Sequence, residues 1–397
     1  MHRADHVALL MLFALSLAAC QPSGGHDASP SPTVSQAPTH VAGSTSPPWQ
    51  PPPTLRELLP SLATPFLAAT PPSSPPNLVY TRDNQIVELS IEGASRILAI
   101  APEAGPVRSA LLLGDSVLLL REQGLQLVDL SGRATRLLPF GAPVLFGDLI
   151  PAGTDTVLYS AMLDDGGGGT MSFTAHAGLY SLATGRARPL IEHEGGLVPL
   201  GENAEEDGVY FLPLGGEPEF SEIWLVSLAT GEVRARLPVE GIAFAALGPE
   251  ARLLATAASR FLPEEQRLEY GLGLYDLSNP GSVEGWWLPL PRPDSHVWGL
   301  VWSGDGRCLY FHLRPGAPYE DPATSYGLWC LDPEGMQFSL VCPLDDPTEH
   351  IVTISPDDHW LVLRPERAYE LTLVDLAAGR AVTPGLPETF DEIVRWR

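Results

Sequence analysis

The sequence predicts an all-β fold, a seven-bladed β-propeller of four-stranded antiparallel blades. A repeated pattern, Leu-x-[Asp/Ser]-Leu followed closely by Gly, is the first observation. Its second Leu falls at positions 89, 130, 182, 228, 277, 331 and 376, in steps of 41 to 54 residues. The other observations are short apolar segments separated by turn residues, and a C-terminal segment that resembles the start of a blade. Steps of this length suit one four-stranded blade per copy.

Blade six shows the predicted unit most clearly. Apolar strands are expected at 297–302 and 308–313, joined by the turn 303–306, and two more at 326–331 and 337–342. Glycines in the turns supply the positive φ that closes hairpins. The strands are apolar at successive positions, as expected where both faces of a sheet pack on neighbouring blades.

The two ends of the propeller predict how the ring closes. Leu78 to Tyr80 lies where the second strand of a blade belongs, and only a Pro-rich stretch precedes it. The segment Glu392 to Trp396 resembles the first strand Leu300 to Trp302 of blade six. We therefore expect the C-terminal strand to complete blade one, which removes the open sheet edges.

Two turns connect this pattern with a known group of proteins. Ser303-Gly304-Asp305-Gly306 and Ser355-Pro356-Asp357-Asp358 resemble the Ser-Pro-Asp-Gly turn of TolB-type, WD40-like propeller repeats. The resemblance covers the predicted propeller as architecture, but the explicit turn occurs twice, once without Pro and once without Gly. It implies a propeller fold and favours interaction with other proteins.

The N-terminus has the features of a secretion signal. A short apolar run from Val7 to Leu17 precedes Ala18-Ala19-Cys20, and the run is too short to span a bilayer. The segment Leu17 to Cys20 resembles the lipobox of bacterial lipoproteins. This resemblance implies removal of residues 1–19 and attachment of lipid to Cys20, so the protein is expected on the outer face of the cytoplasmic membrane or in the periplasm. The alternative is an ordinary signal peptide with a chance Cys.

Residues 20–77 are predicted to form a disordered linker between the anchor and the propeller. The stretch is rich in Pro, Ser, Thr and Ala, and its Pro-Pro runs prevent regular helix or sheet. Such a stretch behaves as a semi-rigid spacer. The propeller is then expected to occupy residues 78–397, and we expect it to be a monomer.

The charge balance narrows the classes of partner. Acidic residues number 48 and basic residues 23, giving a formal charge of -25, so nucleic acid is not an expected partner. All the basic residues are Arg, which excludes Schiff-base catalysis and a Walker-type phosphate Lys. No cofactor is expected.

Connections between the second and third strands of each blade predict a binding surface. They are expected to be long in blades three to six, at 164–176, 214–221, 260–270 and 314–325, and short in blades one, two and seven. These connections share a face with the links between blades, and loops on a rigid scaffold commonly bind ligands. The four stretches are acidic and aromatic, with Glu269 among their carboxylates, so we expect a cationic, sugar-like or peptide ligand. Neutral loop drift is the alternative. With two histidines near the channel mouth, the candidate ligand-binding residues are Phe173, His176, Glu217, Phe220, Glu265, Tyr270, His296, Tyr319, Asp321, Tyr326 and His350.

Histidine and cysteine positions give weaker indications. His296 and His350 both precede the first strand of a blade, and the histidines lack paired metal-ligand spacing, so no metal site is expected. Beyond Cys20, the cysteines all lie in blade six. Cys308 and Cys330 are placed where direct opposition on neighbouring strands would permit a disulfide, although buried thiols are the alternative.

The sequence thus favours a binding function. We expect a lipid-anchored propeller that binds a protein, peptide or glycan at its loop-rich face, with the lipid on Cys20 as its contact with the membrane. The alternative is a propeller enzyme, a hydrolase or lyase that uses Asp/Glu with His or Tyr around the channel mouth. Two carboxylates and a histidine in one pocket would favour the enzyme, and a broad aromatic and acidic surface without such a pocket would favour binding.

Overall fold

The structure is a computed structural model of the 397-residue chain. It describes residues 76–101, 105–131, 135–164, 173–203, 207–214, 221–239, 242–262, 267–278, 284–292, 295–315, 326–344, 349–365, 371–382 and 392–396. The predicted signal segment, Cys20 and nearly all of the predicted linker lie outside the described residues.

The described residues form β-strands and one short 3₁₀ helix, Pro249–Ala251. In chain order the strands are β1 Leu78–Arg82, β2 Gln85–Leu89, β3 Ser95–Ile100, β4 Val107–Leu113, β5 Ser116–Arg121, β6 Gly124–Asp129, β7 Thr135–Pro139, β8 Val144–Pro151, β9 Thr156–Asp164, β10 Phe173–Ser181, β11 Arg186–Glu194, β12 Gly196–Asn203, β13 Gly208–Leu214, β14 Ser221–Ser227, β15 Val233–Val239, β16 Ile242–Leu247, β17 Leu253–Leu262, β18 Arg267–Asp276, β19 Glu284–Pro289, β20 Ser295–Trp302, β21 Leu309–Pro315, β22 Leu328–Asp332, β23 Gln337–Cys342, β24 Glu349–Ile354, β25 Trp360–Pro365, β26 Thr372–Asp375, β27 Arg380–Val382 and β28 Glu392–Trp396. This part of the chain contains no helix long and apolar enough to cross a bilayer.

These strands confirm the predicted seven-bladed propeller. They make seven antiparallel sheets of four strands, and β4–β7, β8–β11 and the following sets of four form blades two to seven. Blade one has the order β28-β1-β2-β3, with Leu78 opposite Trp396 and Thr81 opposite Glu392. The C-terminal strand therefore closes the ring as predicted, and it pairs an edge that β1 would otherwise expose.

Burial explains why the middle strands read as apolar runs. Val117 to Leu120 in β5, the second strand of blade two, are fully buried because both faces of the sheet pack on neighbouring blades. Val79 and Ile86 of blade one pack with Val117 and Leu119 of blade two in one such core. The fourth strands lie at the rim, and β11 and β27 are largely exposed along their length.

The repeated Asp or Ser closes the turn between the third and fourth strands. Ser181 ends β10, and its Oγ accepts the Thr184 amide at 3.3 Å, while Asp375 Oδ1 accepts the Ala378 amide at 2.9 Å. The Gly185 amide then donates to Ser181 O at 2.7 Å with a φ of 60°, a conformation that Gly adopts without steric cost. The repeat is therefore a turn signal at one end of each blade.

Two copies of the repeat lie two residues later than the spacing predicted. In blade six the third strand, β22, ends at Asp332, whose Oδ1 accepts the Glu334 amide at 2.9 Å. Asp332, and not Cys330, is therefore the residue that closes the turn as the repeated Asp or Ser does in other blades. In blade one Ser90 takes this role, and Ile91 packs into the core as the second Leu does elsewhere. A shift of two residues preserves which side chains share a sheet face, so the hydrophobic pattern alone could not detect it.

Candidate ligand-binding site at the upper channel mouth

The face that carries the connections between second and third strands is called the upper face here. These connections comprise residues 83–84 and 122–123 in blades one and two. In blades three to seven they comprise residues 165–172, 215–220, 263–266, 316–327 and 366–371. The prediction that blade seven has a short connection is therefore wrong, and five adjacent blades are expanded. In blade five the predicted loop is partly strand, because β17 and β18 stay paired up to Leu262 and Arg267.

The predicted site residues fall into three groups. Outside the described residues are Glu217, Phe220, Glu265, Tyr319 and Asp321. Phe173 and His176 are in β10 of blade three rather than in a loop, and His176 Nδ1 lies 3.1 Å from Glu192 Oε1 on the adjacent strand. The other predicted residues belong to blades five to seven.

Aromatic rings from blades five and six meet near the start of the inner strands. The ring centroids of His296 and Trp298, both on β20, are 6.2 Å apart, and Tyr270 of β18 lies 6.2 Å from His296. Phe244 of β16 packs edge-on against Trp298 at 5.5 Å. His296 is the second residue of β20, so this aromatic cluster is at the upper mouth of the channel, where the sequence placed His296.

Each mouth histidine lies opposite an arginine on the neighbouring strand. His296 pairs with Arg314 in the register of β20 and β21, and His350 pairs with Arg364 in the register of β24 and β25. The Arg314 guanidinium lies 4.2 Å from the centroid of the Trp298 ring, a cation–π contact. Blades six and seven therefore repeat one His–Arg pair, and these four residues with Phe244, Tyr270 and Trp298 are called the mouth cluster.

Electrostatics link the two His–Arg pairs. Burial, and then the charge of Arg314, lowers the pKa of His296 from 6.5 to about 4. Burial, followed by Arg364 and Arg314, lowers the pKa of His350 to about 4 as well. Arg314 thus acts on the histidines of both blades. At neutral pH both imidazoles are uncharged, and each presents one N–H donor and one acceptor nitrogen.

Other predicted residues of this face have internal roles. Tyr326 is only 6% exposed, and the Arg292 guanidinium covers its ring at 4.4 Å. Glu269, which the sequence placed in an acidic surface, accepts from Arg260 Nε at 2.8 Å and from Trp287 Nε1 at 2.9 Å. These contacts stabilise the framework beside the mouth cluster and do not provide a carboxylate for a cationic ligand.

One acidic group lies deeper in the channel. Asp148 is on the inner strand β8, opposite Ser160 of β9. The Asp148 side chain is accessible to water in the channel, but protein atoms surround it closely. This surrounding protein desolvates the carboxyl and raises its pKa. Among the described residues no group of three or more His, Cys, Asp and Glu is placed to hold a metal ion.

The cysteines of blade six lie outside the mouth cluster. Cys308 and Cys330 are joined by a disulfide with a Cα–Cα distance of 5.7 Å, within the usual range. The sequence suggested that these two cysteines lie directly opposite each other. They do not, because Tyr310 is opposite Cys330 and Leu309 is opposite Leu331. Cys342 is a buried thiol that contacts the Pro343 carbonyl at 3.1 Å.

The sequence indicated the two histidines and Tyr270 of the mouth cluster, but not its arginines or the rings of Phe244 and Trp298. A signal was present, since Leu-Arg-Pro occurs at 313–315 and at 363–365, each time at the end of a second strand. Phe244 and Trp298 carry no such signal. Both lie among apolar residues typical of any inner strand, so their position in a site could not be recognised from the sequence.

Comparison with known proteins establishes the fold. No family model matches the sequence, and no curated protein matches it either. Among solved structures, the periplasmic gluconolactonase of Pseudomonas aeruginosa has a TM-score of 0.56 at 12% identity, over 81% of this chain and 98% of that one. An oligogalacturonate lyase in complex with manganese gives 0.54 at 14% identity, over 77% and 83%. Hydrazine synthase of Kuenenia stuttgartiensis gives 0.50 at 11%, over 76% and 89%. At these identities the likeness shows a β-propeller and no particular activity.

Proposed function

We propose that this protein is a lipid-anchored, extracytoplasmic binding propeller that captures a protein, peptide or glycan at its upper face. The observation that carries the proposal is the mouth cluster. It combines two arginines, two uncharged histidines and three aromatic rings where the inner strands of blades five to seven begin. Aromatic and Arg side chains are the residue types enriched at binding hot spots.

Binding is favoured over turnover because of the chemistry of these groups. A hydrolase or lyase of the kind considered needs carboxylates beside a histidine or tyrosine. The described groups of the mouth cluster are imidazoles, guanidiniums and rings, which bind and orient a ligand through charge, hydrogen bonds and stacking. The predicted carboxylates Glu217, Glu265 and Asp321 lie outside the described residues.

A differential capture experiment tests the proposal. The full-length chain is immobilised and exposed to solubilised native envelope, separated into protein and glycan fractions, next to the double variant Arg314→Ala/Arg364→Ala. Arg307→Ala is the matched control, because Arg307 is an exposed arginine at the opposite end of blade six. We expect a component that the wild type and the control retain and the double variant loses. Equal retention by all three proteins would refute the proposal.

The proposed anchor rests on Leu17-Ala18-Ala19-Cys20 and on the Pro-rich stretch that follows it. Two or three acyl chains bind a membrane stably, since each buried CH₂ contributes about 0.8 kcal/mol. We expect the wild type in the membrane fraction, labelled by radioactive palmitate, and Cys20→Ser in the soluble extracytoplasmic fraction or retained unprocessed. A Cys20→Ser variant that is still labelled and processed like the wild type would exclude this anchor.

A further inference from the structure

The duplicated His–Arg pair is more specific than a general binding surface requires. His296 with Arg314 and His350 with Arg364 occupy equivalent positions in adjacent blades, each histidine near the start of an inner strand. The Arg314 guanidinium stacks on Trp298, and its charge reaches the histidines of both blades. The permanent charge of Arg314 thus lies over an aromatic ring and that of Arg364 opposite His350 in the next blade, in a protein whose formal charge is -25. A ligand of the mouth cluster is therefore expected to carry groups that interact with guanidiniums, with imidazoles and with aromatic rings.

We propose that the mouth cluster binds a carboxylate-bearing sugar, a uronic or aldonic acid unit of a glycan. The inference rests on the proposed binding function and names its ligand class. It is argued from three chemical matches, one for each type of side chain in the cluster.

The arginines match the carboxylate. A guanidinium offers five N–H donors in a planar fork that pairs with a carboxylate through two parallel hydrogen bonds. Lys cannot reproduce this geometry, and the chain has none. A neutral sugar could accept hydrogen bonds from Arg314 and Arg364 but would have no negative charge to pair with them.

The histidines and rings match the rest of a sugar acid. An uncharged imidazole donates one hydrogen bond and accepts another, which suits the hydroxyl groups of a sugar. The Trp298 and Phe244 rings pack edge-on at 5.5 Å, and both are partly exposed, so each leaves apolar ring surface that suits the C–H groups of a pyranose. Inorganic phosphate has no apolar face, and an acidic peptide lacks the adjacent hydroxyls. Among these ligands, a sugar acid alone uses all three kinds of side chain.

The repetition in two blades predicts that more than one acidic unit binds. An oligomer of uronic acids places carboxylates at regular spacing, so neighbouring units can contact the pairs of blades six and seven at once. Linking two binding units makes the second contact intramolecular and raises overall affinity. We therefore expect the trisaccharide of galacturonic acid to bind on the order of 10-fold more tightly than the monosaccharide.

Calorimetric titration of the full-length protein tests the proposal. The probes are galacturonic acid, trigalacturonate, neutral galactotriose, inorganic phosphate and triglutamate. The proteins are the wild type, Arg314→Ala, Arg314→Lys, Arg364→Ala and the control Arg307→Ala, each checked for folding by circular dichroism. We expect trigalacturonate to bind most tightly, and each alanine variant at the mouth to lose on the order of 10- to 100-fold in affinity. Arg314→Lys should recover only part of this loss.

Several outcomes would overturn the proposal. Equal binding of galactotriose would show that the carboxylate is not recognised, and tighter binding of triglutamate or phosphate would assign the site to peptides or to simple anions. Absence of trigalacturonate binding would also exclude the sugar-acid class. The capture experiment then separates the two proposals, because a component that Arg314→Ala/Arg364→Ala loses would preserve the binding function without this ligand.

Discussion

The two ends of blades six and seven use polar residues in opposite ways. At the lower end, the turns at Ser303 and Ser355 satisfy their polar groups locally, since Ser303 Oγ donates to Asp305 at 2.8 Å and accepts the Cys308 amide at 2.9 Å. At the upper end, His296 and His350 are desolvated beside arginines whose charges oppose their protonation. One end closes turns, and the other concentrates groups suited to an external ligand.

The lower turns show how strongly one motif determines local structure. Gly306 and Asp358 occupy the same turn position, with φ values of 71° and 56°, and both amides donate to a serine carbonyl at 3.0 Å. Asp358 Oδ1 also accepts the Gly304 amide at 2.7 Å, which links the two blades. Burial, with the nearby Asp358 and Asp305, raises the pKa of Tyr310 to about 12. Asp305 and Asp358 therefore stabilise the fold at the lower end. We predict that substitutions in the lower turns change the free energy of unfolding and leave ligand binding at the upper end unchanged.

The largest expected effect comes from removing both lower-turn serines. Ser303 and Ser355 are 3% and 1% exposed, and Ser355 Oγ accepts the Trp360 amide at 2.8 Å and the His359 amide at 3.2 Å. Ser303→Ala/Ser355→Ala loses several buried hydrogen bonds, each worth about 1 kcal/mol. We expect the free energy of unfolding to fall by roughly 2–4 kcal/mol in urea denaturation. A change below about 0.5 kcal/mol would show that the turns do not stabilise these blades.

The next effect is a pH dependence that originates at the upper end. The histidine pKa is 6.5 in the unfolded chain and about 4 in the fold, so the unfolded state binds more protons between these values. The contribution of these histidines to the free energy of unfolding is therefore fully present above about pH 6.5 and is lost as the pH falls toward 4. His350→Gln should reduce the difference in unfolding free energy between pH 7.5 and pH 5 by on the order of 1 kcal/mol. His359→Gln, an exposed histidine of the lower turn, is the control, and an equal reduction by both variants would contradict the assignment.

The smallest effect is expected at Asp358. Asn keeps a side-chain oxygen for the Gly304 amide and tolerates the positive φ. Burial raises the pKa of the Asp358 carboxyl, so its charged form is disfavoured in the fold. Asp358→Asn should change the unfolding free energy at pH 7 by less than about 0.5 kcal/mol. Asp358→Ala, which loses the acceptor and disfavours the φ, should be clearly less stable, and equal stability of the two variants would argue against this account.

The sequence predicted the framework well because each of its signals is local. Apolar runs and turn residues define the strands, and the tail Glu392 to Trp396 revealed the closure. Blade seven was predicted less well, because the connection before its third strand, Thr372–Asp375, was expected to be short and comprises residues 366–371. The mouth cluster could be predicted only in part. His296 and His350 have a recognisable place in the blade, whereas the contact of Arg314 with Trp298 depends on register and side-chain direction.

The central claim is that ligand recognition belongs to the upper end and turn closure to the lower end. Titration of trigalacturonate into wild type, Arg314→Ala/Arg364→Ala and Ser303→Ala/Ser355→Ala tests it most directly, with an unfolding curve for each protein. We expect the arginine variant to lose affinity on the order of 10- to 100-fold or more while its stability changes little. The serine variant should unfold earlier and bind as the wild type does. Loss of binding in both variants, or in neither, would contradict the claim.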